Sequence, residues 1–230
     1  MPTRASGRAR VEWQRRRTPS AYARLPRGPP LIVGLREIRD PRAVAKLIEA
    51  LAETSPAVRR EAVVTLANQR LPESVSALRG RLLDSDESVR RVAVGALGYF
   101  VAPALLQDFM RSLADSDWRV RVESAIVLGR SALSGAIPGL RAALADPYWQ
   151  VQKESIASLG RLAAVAAIPE LLPFLESELA DLRRAAAYAL GELKAPRASE
   201  ALRKLSSDPD IEVRKAAARA LSAIDSGTLG

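Results

Sequence analysis

The chain has no cysteine and no histidine. That excludes disulfides, thiol nucleophiles, imidazole acid–base catalysis and the usual zinc ligand sets. Arginine, carboxylate and a few aromatics remain to do chemistry. An arginine recurs at Arg59, Arg90, Arg121, Arg183 and Arg214, each directly after an apolar residue, with period-matched acids a few residues ahead at Glu53, Asp84, Asp115, Asp146 and Asp208. This pattern predicts guanidinium–carboxylate pairing between neighbouring units, with further donors left for orphan carbonyls. The same residue in five places suits a repeated structural role better than one binding site. Gln152 is the exception, because its unit keeps Asp146 but has lost the arginine. The run Asp84-Ser85-Asp86-Glu87 lacks the glycine and distal glutamate of a calcium loop and is read as helix caps and dipole partners. No catalytic residue, metal or cofactor is expected.

The aromatics carry more information. Trp118 and Trp149 share one column in adjacent units, and Tyr148 stands beside the second. Other units place Pro56, Glu87, Ala180 and Ile211 in that column, so the fold does not require an aromatic there. Two tryptophans one unit apart would stand about 10 Å from each other, the distance between packed helices. They are read either as core fillers or as anchors of a binding surface, with a base-stacking pocket as a third reading.

The elements that position these residues follow from the period. Steps of 31 from Val58 land on Val89, Val120, Val151, Leu182 and Val213, and from Leu66 on Leu97, Leu128, Leu159, Leu190 and Leu221. Such self-similarity marks a solenoid of stacked helical hairpins. Pro41, Pro72, Pro103 and Pro196 open helix A, where proline's missing N–H is not needed. Helix A carries an apolar i, i+4 stripe, as at Leu47/Leu51 and Leu140/Leu144. Pro173 should bend or shorten the fifth helix A, with a local change in curvature. Helix B begins after Ser55, Asp86, Asp117 and Asp210, which suit N-caps. The small residue after each leucine of the Leu66 column, glycine in four units, fits a close helix approach or a loosened helix end.

Helix B turns one face inward, so the opposite face collects Arg91, Gly95 and Tyr99, then Val122, Ile126 and Arg130, then Lys153, Ala157 and Arg161, then Arg184, Tyr188 and Glu192. These residues are expected to line a concave trough. With Trp118, Arg119, Tyr148 and Trp149 they form the candidate partner-binding face, suited to an acidic or amphipathic protein or peptide.

Basicity belongs to the N-terminus. Residues 1–30 hold eight arginines, among them Arg8, Arg10, Arg15, Arg16 and Arg17, against Glu12 alone, so most of the net charge of +9 lies there. Pro19, Pro26, Pro29 and Pro30, with no sustained helical period, mark a flexible arm, with a short helix near Val11–Arg17. It is read as a solvated tail, as a contact for an acidic partner, nucleic acid or ribosome, or as a leader of the transit type. Leu31–Arg39 reads as an orphan helix over the open end of the stack. No apolar run reaches the length of about 18 residues that spans a bilayer. The absence of cysteine fits a reducing compartment, and a cytoplasmic location is expected.

The recurring (D)-x-x-V-R-x-x-A-x-x-A-L-G over residues 41–225 resembles HEAT-like repeats of the short regular type found in phycobilin lyases and prokaryotic scaffold proteins. The resemblance implies an all-α, right-handed α-solenoid over residues 31–226, with six helix-turn-helix repeats at the period above plus an N-terminal half-repeat. It implies a non-enzymatic protein-binding scaffold or adaptor, with a bilin-lyase-like, tetrapyrrole-handling subunit as the enzymatic alternative. HEAT-like hydroxylases use His-Glu metal ligands, so that activity is excluded here. HEAT-like DNA glycosylases have less regular repeats.

Overall fold

A computed structural model describes residues 41–100 and 102–228, with side-chain surroundings for 44–100 and 102–226. The basic arm, its short helix and the orphan helix at Leu31–Arg39 lie outside the described residues. Among the described residues there is no strand. The helices alternate between A and B: α1 Pro41–Ala50, α2 Pro56–Gln69, α3 Val75–Gly80, α4 Glu87–Leu97, α5 Leu106–Ser112 and α6 Trp118–Arg130. They continue as α7 Ile137–Ala142, α8 Trp149–Arg161, α9 Ile168–Leu171, α10 Ala180–Glu192, α11 Ser199–Lys204 and α12 Ile211–Thr228. We number the A–B pairs as units 1 to 6.

Each A helix packs on its own B helix, and each B helix packs on the B helix of the next unit. Neighbouring B helices meet more closely than neighbouring A helices. The core is the two periodic stripes: Leu47, Leu78, Phe109, Leu140, Leu171 and Leu202 from the A helices are fully buried. Leu66, Leu97, Leu128, Leu159 and Leu190 of the B helices are likewise buried, whereas Leu221 of unit 6 is only partly covered.

Helix A differs from the continuous helix expected. In unit 2 it enters through the 3₁₀ turn Pro72–Ser74 and leaves through Arg81–Leu83, so its α-helical part is Val75–Gly80. Proline sits at the first position of the entering turn, where its fixed φ and absent donor do no harm. In unit 5, Pro173 shortens α9 to four residues and passes the chain into the 3₁₀ segment Leu172–Glu176. The shortening matches the expectation; proline removes one bond of the α ladder.

The glycines after the leucine column mark close approach. A Cβ on Gly129 would stand 2.9 Å from Ser158 Cα, and one on Gly191 2.8 Å from Ala220 Cα, both in the next unit. The left-handed turn after helix B comes slightly further on, at Arg70, Ala132, Ala163 and Lys194, with φ between 46° and 54°. That column keeps the same period, yet no glycine occupies it in these units.

Candidate partner-binding surfaces

The recurring arginine is structural. Arg59 Nε and Nη2 donate to Asp84 Oδ2 and Oδ1 at 2.9 and 2.6 Å, while Nη1 donates to the Glu53 and Thr54 carbonyls at 2.9 Å. Arg90 grips Asp115, Arg121 grips Asp146 and Arg183 grips Asp208 in the same bidentate manner across successive seams. Burial pushes the Asp84 carboxyl up, and the Arg59 guanidinium with the Asp86 N–H more than reverses this, leaving the group below its ordinary range. Asp208 is held low chiefly by its hydrogen bond from Arg183. The aspartates also shape the turn before helix B, accepting from the backbone N–H two residues on, as in Asp117 N to Asp115 Oδ1 at 2.9 Å.

Each arginine takes its carboxylate from the following unit, always at the same offset along the chain. That offset sets Gln152 opposite Ser177. Gln152 Nε2 keeps the carbonyl contact, donating to Asp146 O at 2.8 Å, and Ser177 Oγ keeps the turn, accepting from Leu179 N at 3.2 Å. Both charges are absent together, so among the described residues seam 4–5 alone lacks the buried pair. The acidic run is likewise accounted for. Asp86 caps α4 by accepting from Ser88 N and Val89 N, and Asp84 is held by Arg59 and Arg81. Among the described residues no cluster of carboxylates could hold a metal ion.

The expected trough residues lie along the outward face of the B helices. Tyr99 is 59% exposed and Tyr188 37%; Arg91, Arg130 and Arg161 are also exposed, and Val122, Ile126, Lys153 and Arg184 are half-buried. The first column of that face extends beyond the expected residues to Arg60 and Lys215: Arg60, Arg91, Val122, Lys153, Arg184 and Lys215 recur at the same period, all basic except Val122. Between α2 and α4 an open groove of about 330 Å³ is floored by Ala67, Gly95 and Ala96, with Arg91 and Tyr99 at its rim. Glu123 closes one side; burial pushes its carboxyl up despite the pull of Arg91 and Arg130. Arg70 stacks on Tyr99, 4.8 Å from the ring centre.

The remaining predicted residues lie elsewhere. Trp118, Arg119, Tyr148 and Trp149 sit at the A-to-B turns, at the opposite end of the B helices from Arg130 and Arg161. The length of α6 separates Trp118 from Arg130, about 18 Å. The two tryptophans do not form the expected pair. Trp118 stacks instead on Tyr148, with ring centres 5.7 Å apart and planes 10° from parallel. Trp149 is half-buried against the core under Lys153, whose Nζ is 5.4 Å from the ring centre. Tyr148 precedes the helix and reaches back across the seam, where Arg121 lies 5.5 Å from its ring. The predicted face is thus two surfaces, a trough and an edge.

With this arrangement in view, the HEAT-repeat profile matches residues 31–98, 81–160 and 168–228. The chain belongs to the HEAT-repeat family. No protein of curated function matches it. Among solved structures this HEAT-repeat chain is similar to the complex of CpcE and CpcF of phycocyanin lyase from Nostoc sp. PCC7120. Identity there is 25%, over 87% of this chain and 81% of that one, with a TM-score of 0.62. It shares the fold of the Escherichia coli protein YibA, at 20% identity over 84% of this chain and 74% of that one, with a TM-score of 0.67. A designed armadillo repeat protein in complex with the peptide (KR)4 has the same architecture, at 21% identity over 85% and 98%, with a TM-score of 0.54. No helix among the described residues is long and apolar enough to cross a membrane.

Proposed function

We propose that this HEAT-repeat chain is a binding scaffold whose trough holds an acidic or amphipathic segment of a partner protein. The carrying observation is the contrast between two adjacent columns. The Arg59 column is buried and spent on holding units together, whereas the Arg60 column points out of the stack. Outward cations pair locally, as in Lys215 with Glu212 at 2.8 Å and Lys153 with Glu154 at 3.6 Å, each within its own helix. Exposed pairs of this kind contribute about 0–1 kcal/mol, so they are a weak reason for the column to exist. From α4 to α8 the trough presents Arg91, Arg130, Lys153 and Arg161 around Val122 and Ile126, against Glu123 and Glu154. Cations around a partly apolar floor match an acidic chain with apolar anchors. The basic arm, through Arg8, Arg10 and Arg15 to Arg17, supplies a second contact.

The likeness to the CpcE–CpcF complex supports a protein partner, since that structure is itself an assembly of two chains. The test is fluorescence anisotropy with a labelled peptide of alternating glutamate and leucine, at two salt concentrations. Arg91→Glu with Arg130→Glu should weaken binding at least tenfold with little change in Tm. Unchanged affinity in that variant would refute the trough as the site. Deleting residues 1–30 should weaken the peptide further and flatten the salt dependence.

A further inference from the structure

The edge carrying Trp118 and Tyr148 departs from the repeat pattern in a way that folding does not explain. Asp86, Asp117 and Asp210 cap α4, α6 and α12 by accepting first-turn N–H groups. In units 4 and 5 the same position holds Tyr148 and Leu179, and neither side chain caps its helix. Losing an N-cap costs a helix about 1 kcal/mol. The replacements are 45% and 44% exposed; Tyr148 keeps one face stacked on Trp118, and Leu179 leaves an apolar side chain open to solvent. Ile211, the first residue of α12, is 54% exposed beside them. Trp118, Tyr148, Leu179 and Ile211 occupy two adjacent columns in successive units and so line one edge of the stack.

The spacing selects the occupant. Adjacent packed helices stand about 8–10 Å apart, so the edge offers apolar seats at that step. An α-helix returns to one face every two turns, or about 10.5 Å, whereas an extended strand does so about every 6.8 Å. Charged residues flank the seats: Arg119, paired with Asp117, stands beside Trp118; Glu178 and Asp181, the latter paired with Arg184, beside Leu179; and Glu212, paired with Lys215, beside Ile211. We propose that this edge docks an amphipathic α-helix of a partner protein. Its apolar anchors lie at i, i+7 and i+14, with acidic neighbours at the Trp118–Tyr148 seat and basic neighbours at the Leu179 and Ile211 seats. The proposal rests on other residues than the trough, whose first column, Arg91 to Arg184, begins about one turn further along the B helices.

The test uses the full chain and a synthetic, tryptophan-free helix of three heptads with leucine on that face, glutamates around the first anchor and lysines around the later two. A sequence-scrambled peptide of the same composition is the control. Anisotropy and the tryptophan emission of the chain report binding. The wild type should take the patterned helix at least tenfold more tightly than the scrambled one. Tyr148→Asn with Leu179→Asn, which restores both caps, should weaken binding at least tenfold while Tm holds or rises. Arg91→Glu, in the trough, should leave it within twofold. Equal affinity for both peptides, or undiminished binding by the capped variant, overturns the proposal. So does a capped variant that unfolds, because the side chains would then be structural. A wild type that dimerises and a capped variant that does not would make a second copy the occupant and equally reject the partner helix.

Discussion

Seam 4–5 can be given the pair it lacks, and the outcome is calculable. In the other seams an arginine and an aspartate meet through two charge-assisted hydrogen bonds of 2.6–2.9 Å, with side chains 2–14% exposed. Each such bond contributes about 1.5–3 kcal/mol, but desolvation costs several kcal/mol for each ion, so the completed pair should be close to break-even. Ser177→Asp alone should destabilise the chain by about 1–3 kcal/mol, because a carboxylate would be buried opposite Gln152. Gln152→Arg alone should cost less, since its guanidinium still reaches the Asp146 and Pro147 carbonyls. The double variant should return to within about 1 kcal/mol of wild type, a coupling of roughly 2–3 kcal/mol. Urea unfolding of the four proteins measures this cycle directly. Additive effects, with a coupling under about 0.5 kcal/mol, would mean that the ladder does not act across the seam.

Glu123, raised by burial, destabilises the folded chain when ionised, so Glu123→Gln should raise Tm at pH 7. That gain should fade as pH falls through the folded and then the ordinary carboxylate range, where both states are protonated. The same acid limb should itself lower Tm, because Asp84, Asp115 and Asp208 have depressed values and lose their contribution as pH falls through them. At the helix-B ends, Gly129→Ala should destabilise by about 1–3 kcal/mol through its clash with Ser158. Ala163→Gly should stabilise by about 0.5–1 kcal/mol by relieving a φ of 50°. Thermal melts distinguish the two signs.

The stack was legible because its core columns keep one residue class through every unit. The Arg–Asp ladder was legible for the same reason, but its direction was not. In sequence an acid stands shortly before each of Arg59, Arg90 and Arg121, while the carboxylate each arginine grips comes much later, in the next unit. Only that geometry shows Ser177 to be the counterpart of Gln152. The dipeptides Arg59-Arg60 and Arg90-Arg91 hid how differently their two cations are used. Successive helical residues point about 100° apart, so the first cation goes to the seam and the second to the trough. The edge went unseen for a related reason. The turn before α8 sends Tyr148 back over Trp118, whereas equal spacing alone would pair Trp118 with Trp149. The 3₁₀ ends of helix A left no mark, since tightening a final turn needs no change of residue type.

The one-unit offset of the ladder also dictates which changes of length the array could accept. Excising 85–115 would remove Arg90 and Asp115 together, leaving Arg59 with Asp84 and Arg121 with Asp146. Excising 147–177 would remove Gln152 and Ser177 together, and no charge would be orphaned there either. A cut of equal size placed after the arginine column behaves otherwise. Excising 122–152 would leave Arg121 facing Ser177, a stranded cation, and excising 153–183 would leave Asp208 facing Gln152, a stranded anion. Shuffling of units is therefore tolerated according to where the cut falls, even though the units look interchangeable.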